Sequence, residues 1–308
     1  MHYALVFSTS KQPSSASDAA SWLAKLADHY GFLQPAETPH WLHQGYAAQL
    51  ICDPDVSFNV TSPTHNPEFR ALRSHAAELG LDVNIIPFAG RRKQMLIADM
   101  DSTIITGESL DDLAVLAGLG EAVTAITKRA MKGEIDFEGA LFERVAMLAG
   151  KPSSLFDQLI AAATPTPGAI ELVQTMRANG ARCYLVSGGF DVITGPVAAV
   201  CGFHKHHANH MHIADGKILG TVQTPVLDRD AKAGYLAHYC TLHGITPNEA
   251  ATIGDGANDL AMLQAAGMGV AFNGKPLLLS EVAIQLNHTD LKGLLYLQGY
   301  QDSDIVTG

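Results

Sequence analysis

Two carboxylates one residue apart, Asp99 and Asp101, follow directly on the apolar run Leu96-Ile97-Ala98. A short apolar run reads as a buried strand of a parallel sheet. Aspartate is a poor strand residue, so the strand is expected to stop at Asp99. In an open α/β sheet, ligands collect just beyond the carboxyl ends of the strands. Two acids delivered there lie close together and need a partner for their charge. A hard divalent cation with oxygen ligands, Mg²⁺, supplies it.

Three further stretches carry residue types suited to the same chemistry. Ser187-Gly188-Gly189 follows the apolar run Cys183-Tyr184-Leu185-Val186. It offers a hydroxyl and unobstructed amides at a helix start, an anion-binding arrangement. Lys232 stands in Asp230-Ala231-Lys232-Ala233, and Gly254-Asp255-Gly256-Ala257-Asn258-Asp259 follows Thr252-Ile253. The glycines there let the backbone turn tightly beside an ion. Taken singly, each stretch has a plainer explanation: a turn, a loop, a solvated helix lysine, an aspartate helix cap. These explanations are independent, and all four would have to coincide in one order along the chain.

In that order the stretches resemble the motifs of the haloacid dehalogenase superfamily of phosphohydrolases. Asp99-Met100-Asp101-Ser102-Thr103 matches its DxDx[TV] signature. The resemblance runs from about residue 90 to the C-terminus and points within the superfamily to the phosphoserine phosphatases. It implies that Asp99 is a nucleophile that attacks phosphorus to give an aspartyl phosphate. Asp101 is then the general acid and base, which requires a raised pKa. Asp255 is expected to join Asp99 and the main-chain carbonyl of Asp101 as a Mg²⁺ ligand, with Asn258 and Asp259 in support. Lys232 and the metal offset the repulsion between two anions. In phosphoserine phosphatases, residues matching Glu108 and Arg144 hold the amino group and carboxylate of the substrate, and residues matching Met131 and Phe137 shape the pocket.

The residues themselves leave part of this open. Glu108 opens a helix, where a carboxylate favours the dipole whatever its function. Arg144 lies on the helix face shared by Phe137 and Leu148, as a rim residue or as one that wants an anionic partner. The expected activity is Mg²⁺-dependent hydrolysis of O-phospho-L-serine, the last step of serine synthesis. Two alternatives stand beside it: a phosphatase or phosphotransferase acting on another small metabolite such as phosphohomoserine, and a non-catalytic amino-acid sensor.

Positioning these residues requires an α/β fold. Strands are expected at 96–98, 183–186, 251–253, 270–272 and 282–284, enough for a doubly wound parallel sheet. Between Glu108 and about Ala163 the pattern is almost wholly helical, an all-helical cap insertion over about residues 107–165 that would exclude water from the strand ends. Residues 1–88 read as a small α+β unit of ferredoxin-like or ACT-like kind, with strands near 3–7, 46–51 and 82–86 and helices over 16–30 and 69–79. Residues 89–308 form the phosphatase domain. The N-terminal unit is a dimerisation or solubility module or a small-molecule sensor, and a homodimer is among the readings. Phe203 to His212 holds five histidines without a carboxylate or cysteine at ligand spacing, so a turn and hairpin through Asp215-Gly216 is expected there rather than zinc. The tail from Gln301 is expected to fray.

Bulk properties narrow the partners. A chain of 308 residues, 47% apolar, is long enough for about two domains with a sizeable core. A net charge of −11 argues against nucleic acid, since polyanion binding needs a concentrated basic surface. The compact basic run Arg91-Arg92-Lys93 is assigned to a linker. Cys52, Cys183, Cys201 and Cys240 are scattered and form no CxxC pair, as for buried thiols in a reducing compartment. The N-terminus lacks a signal-peptide pattern and no apolar run reaches the ~18 residues of a bilayer span. A cytoplasmic enzyme of a small-molecule substrate, with no membrane partner, is the expectation.

Overall fold

In the computed structural model, residues 2–11, 36–53, 66–131 and 133–307 are described. The expected helix over 16–30 lies outside them.

The N-terminal strands β1 (Tyr3–Ser8), β2 (His40–His43), β3 (Ala47–Cys52) and β4 (Asp82–Pro87) form one sheet in the order β2-β3-β1-β4, with every pairing antiparallel. That is the strand order of a ferredoxin-like unit. The helix Pro67–Glu78 covers it. Asn66 caps this helix by accepting from the amide of Phe69 at 2.9 Å, and proline opens it. Phe69, Leu72 and Ala76 are its buried stripe. The left-handed Gly80, at φ +72°, follows its end.

The second sheet has six strands: β5 (Met95–Ala98), β6 (Arg182–Phe190), β7 (Lys205–Asn209), β10 (Ala250–Gly254), β11 (Met268–Phe272) and β12 (Ile284–Leu286). Their order is β12-β11-β10-β5-β6-β7, and all are parallel. All four residues of β5 are fully buried, as an all-apolar central strand requires. The chain winds outward from β5 through β6 and β7, then returns to the other side through β10, β11 and β12. The crevice where the winding reverses lies between the carboxyl ends of β5 and β10, the place where α/β sheets bind ligands. Strands β8 (Met211–Ala214) and β9 (Lys217–Val222) form a separate hairpin. Its turn is Asp215-Gly216, with φ of +49° and +70°, as expected from the sequence.

Four helices, Ser109–Leu116, Gly120–Met131, Phe137–Met147 and Leu155–Ala162, stand between β5 and the helix Ala169–Ala178. The chain enters and leaves this group side by side: the amide of Thr106 donates to Thr164 O at 3.1 Å and that of Thr166 to Ile104 O at 2.9 Å. The β8–β9 hairpin is tied to it by bonds from Gly150 N to Ile218 O and from Ile218 N to Lys151 O.

Three expectations are corrected. The last strand begins at Ile284, because Val282 still closes the helix Pro276–Glu281 through its amide bond to Leu278 O. The histidine-rich stretch contains a sheet strand, β7, that its polarity concealed; it lies at the sheet edge, where half-exposed polar side chains are tolerated. The C-terminal tail is held: Val306 N donates to Thr175 Oγ1 at 2.9 Å, and Arg92 pairs with Asp304 at 3.0 Å. All four cysteines are buried and free, as expected. Among the described residues no helix is long and apolar enough to cross a membrane.

The two sheets meet along a polar seam. Asp82, on β4, accepts from the amides of Asn287, His288 and Thr289 at 2.8–2.9 Å. Burial raises the pKa of this carboxyl even against those three donors. Asn84 bonds both the amide and the carbonyl of Gln285, at 2.9 and 2.8 Å. Replacing Asp82 by alanine leaves three amides unpaired. We expect Asp82→Ala to lower unfolding free energy by about 3 kcal/mol, read from urea denaturation.

Candidate active site

The four sequence stretches converge on the crevice between β5 and β10. Asp99 directly follows β5, and its amide donates to Ile253 O of β10 at 3.0 Å. Lys232, on the helix Arg229–His243, reaches it from the far side. Its ammonium lies 2.6 Å from Asp99 Oδ1 and 2.6 Å from Asp259 Oδ1, and it is 1% exposed. The solvated-lysine reading is thereby excluded. Burial pulls the Lys232 pKa down, but the two carboxylates outweigh it and hold it above the ordinary lysine value. Burial and Asp259 push Asp99 well above the usual carboxylate range, while Lys232 opposes them.

Asp255, Asp99 and Asp259 bring carboxylate oxygens within 4.8 Å of one another. The other Asp259 oxygen accepts from Gly256 N at 3.0 Å, so both its oxygens are engaged. Asp99 gives Lys232 its Oδ1 and Asp255 gives Lys275 its Oδ2, so each has its other oxygen to offer. Six carboxyl groups in this region, those of Asp99, Asp101, Glu108, Asp111, Asp255 and Asp259, stand against the ammoniums of Lys232 and Lys275 and the guanidinium of Arg144. A donor set of hard oxygens with surplus negative charge fits Mg²⁺. Gly254 is required by close approach: a Cβ there would lie 2.4 Å from the Asp259 carboxyl carbon.

Asp101 sits on the wide turn Met100–Ile104 that leaves β5. Ser102 beside it adopts the left-handed φ of +54°, unusual for a residue with a side chain. The Asp101 carboxylate accepts from the amide of Ser109 at 2.8 Å and from Ser187 Oγ at 3.3 Å. Burial is the largest influence on it and raises its pKa despite these donors. Ser187 Oγ in turn accepts from Gly189 N at 2.9 Å. The Gly189 amide is therefore engaged inside its own loop, which narrows the pair of open amides expected from the sequence. A Cβ on Gly189 would lie 3.1 Å from oxygens of Asp101, Ser109 and Ser187, so a side chain there would crowd all three.

The cleft has a volume of about 200 Å³, and Glu108, Phe137, Arg144, Gly188, Gly189 and Asn258 line it together with Asp99, Asp101 and Asp255. Glu108 accepts from Ser102 Oγ at 2.8 Å, and burial raises its pKa. Arg144 donates from Nε to Ala140 O at 3.1 Å, and its Nη1 stands 3.9 Å from Asp111 Oδ1. Its side chain is 17% exposed, and burial lowers its pKa. Met131, the remaining expected pocket residue, has a side chain outside the described residues. Lys275 was missed by sequence reasoning: it lines the cleft and its ammonium is 3.0 Å from Asp255 Oδ2. It follows β11 by three residues, and only the pairing of β11 with β10 brings it to Asp255.

Comparison with known proteins gives one consistent picture. The family model for haloacid dehalogenase-like hydrolases matches residues 96–264. A phosphoserine phosphatase of Streptomyces coelicolor is 38% identical over 253 residues, which cover 81% of this chain and 62% of that protein. The chain thus spans about three fifths of the length of that curated relative. A substrate-bound phosphoserine phosphatase structure is similar with a TM-score of 0.62 at 35% identity, covering 66% of this chain and 97% of the other. A hydrolase of the same superfamily from Salmonella enterica serovar Typhi covers 97% of this chain and 99% of its own, with a TM-score of 0.82 at 26% identity.

Removing the buried ammonium strands two carboxylates without a cation. We expect Lys232→Met to cost about 3–5 kcal/mol of stability at neutral pH. Asp99 has a pKa raised above that of the unfolded chain, and without Lys232 nothing opposes that shift, so the loss grows as pH rises and shrinks toward pH 4. Urea denaturation across that range, without added metal, measures it.

Proposed function

The chain belongs to the haloacid dehalogenase-like hydrolase family, and on that footing we propose that it is a Mg²⁺-dependent phosphatase that hydrolyses O-phospho-L-serine to serine and phosphate. The observation that carries the reading is the cleft itself. Asp99 and Asp101 share it with acidic and basic side chains from the helical insertion, Glu108, Asp111 and Arg144. A substrate bearing an ammonium, a carboxylate and a phosphate complements that set. The small volume suits a metabolite better than a peptide.

In this mechanism the phosphate enters with its phosphorus toward Asp99, whose carboxylate oxygen attacks it. The bond from phosphorus to the serine oxygen breaks, and Asp101 gives that oxygen a proton. Asp99 is left as an aspartyl phosphate. Asp101, now a carboxylate, takes a proton from water as the water attacks the same phosphorus, which restores both acids and releases phosphate. Asp99 and Asp255, with the Asp101 carbonyl, are the proposed Mg²⁺ ligands. When bound, the metal neutralises charge on the phosphoryl oxygens and favours the ionised nucleophile. Lys232 supplies positive charge beside Asp99. Ser187, Gly188 and Asn258 hold phosphate oxygens, Phe137 bounds the pocket, and Asp259 holds Lys232 in place.

Residues 1–88 are proposed as an N-terminal domain and 89–308 as the phosphatase domain, with a cap over about 107–165. A cytoplasmic setting and a place at the end of serine synthesis agree with this activity. Four buried free thiols suit a reducing compartment.

Phosphate release from a panel of phosphomonoesters, with and without Mg²⁺, tests the reading. Asp99→Asn should abolish turnover. Arg144→Ala should lower kcat/KM for phosphoserine by about 10- to 100-fold, the range for a charged hydrogen bond, and that for an ester without a carboxylate by much less. Equal losses on both would overturn the substrate assignment, and better turnover of phosphohomoserine would redirect it.

The raised pKa of Asp101 keeps it protonated above the ordinary carboxylate range. The first step needs that proton, so kcat/KM should fall as pH rises through the raised value. Asp101→Asn should lose about 10²- to 10⁴-fold in rate and show no such limb in its pH profile.

A further inference from the structure

Asn209 takes part in none of the chemistry above, yet it joins two parts of the site. It ends β7, the strand hidden in the histidine-rich stretch, and is 3% exposed. The β6–β7 ladder runs in register from Tyr184 opposite Lys205 to Val186 opposite His207, then breaks, and resumes at Phe190 opposite Asn209. Ser187, Gly188 and Gly189 therefore bulge out of the ladder, with only Ala208 across from them. A bulge re-aims side chains and leaves backbone groups without ladder partners. Here it carries the Ser-Gly-Gly loop into the cleft. The carbonyl of Gly188 receives a bond from Asn209 Nδ2 at 2.8 Å.

The other end of the same amide faces the opposite wall. Asn209 Oδ1 accepts from Leu227 N at 2.6 Å, and that bond is buried. Leu227 immediately precedes Asp228, which caps the helix carrying Lys232 by accepting from the amides of Asp230 and Ala231. One planar side chain thus spans from the loop that holds Ser187 to the start of the helix that delivers the buried ammonium.

We propose that Asn209 is a positioning residue for phosphate binding, fixing the Ser187–Gly189 loop against the Lys232 helix so that their donors converge on one phosphoryl group. The proposal rests on the phosphatase reading. It assigns Asn209 no contact with substrate or metal. Aspartate and alanine separate its two bonds: Asn209→Asp can still accept from Leu227 but cannot donate to Gly188 when ionised, and Asn209→Ala loses both.

The test uses the full chain with inorganic phosphate and Mg²⁺ as probes. The inhibition constant of inorganic phosphate against a phosphomonoester of an uncharged alcohol is measured at saturating Mg²⁺, and Mg²⁺ affinity is measured separately by calorimetry. Both variants should raise the phosphate constant about tenfold or more, the effect of losing a buried hydrogen bond, with Mg²⁺ affinity within about twofold of wild type. An unchanged phosphate constant in Asn209→Asp overturns the proposal. So does a parallel loss of Mg²⁺ and phosphate binding in both variants, which is what a purely structural residue would produce. Failure of the phosphatase reading is distinguishable, because wild type itself would then neither hydrolyse the ester nor bind phosphate.

Discussion

A lysine ammonium out of reach of water, clasped between Asp99 and Asp259, is the constraint around which the rest of the molecule is arranged. Burying one cation and two anions is costly unless geometry and further hydrogen bonds offset it. The fold meets that demand from three directions. Strands β5 and β10 are adjacent and parallel, so Asp99 and the Gly254–Asp259 loop emerge side by side. Gly254 lets the Asp259 carboxyl approach the backbone, and the Gly256 amide occupies that carboxyl's second oxygen. The helix bearing Lys232 is pinned to β6 and β7 by rings: Tyr239 stacks on Tyr184 with centroids 3.5 Å apart, and His207 bonds the Tyr239 hydroxyl at 2.6 Å. Burial lowers the His207 pKa to about 4, so it stays neutral in that stack at physiological pH.

The proposed acid/base group is tied to a different part of the molecule from the proposed nucleophile. Asp99 is held by groups of the sheet body, whereas Asp101 accepts its shortest bond from Ser109 N, at the first turn of the helical insertion. Glu108, one residue earlier, is bonded to Ser102 on the turn that carries Asp101. The proposed proton donor, the proposed ammonium-binding carboxylate and the entry to the insertion therefore form one connected unit. The insertion is joined to the body by two adjacent crossings, at Thr106 and Thr166. A shift of the insertion on that ribbon would move Ser109 relative to Asp101, altering both the solvation and the hydrogen bonding on which its raised pKa depends.

What the amino-acid pattern disclosed, and what it withheld, follows from how local each signal is. Asp99, Ser187 and Asp255 each stand just past an apolar run, so strand period and the crevice rule locate them together. The insertion helices were equally legible from their 3.6-residue spacing, and Asp136, accepting from Gly139 N, starts Phe137–Met147 where the pattern begins. Lys232 was legible only by its order among the motifs, because helical spacing cannot distinguish a buried lysine from a solvated one. Strand β7 was concealed by Lys205, His206 and His207, residues that carry no apolar alternation. Lys275 and Asn209 were invisible for another reason. Their partners, Asp255 and the pair Gly188 and Leu227, are brought to them by strand order, which no local window contains.

The seam between the two sheets was likewise beyond local reading, and its bonds say what kind of junction it is. Asn84 meets both the amide and the carbonyl of Gln285, the same pair of groups that a neighbouring strand would engage. It does this at β12, an edge of the six-stranded sheet. Arg73 adds a bond to Ala283 O at 2.8 Å, and Asp82 takes the next three amides, from Asn287 to Thr289. An exposed edge strand is a template for unwanted pairing, so covering it has value in itself. An apolar contact would cover it with little preference for angle. Directional bonds to a buried carboxylate and a buried amide fix one orientation, because a small rotation would leave several of them unmade at once. The N-terminal sheet is therefore built as a fixed part of the body rather than as a bead on a linker, joined at β12 and, through β1 and β3, to the helix Gly293–Leu297.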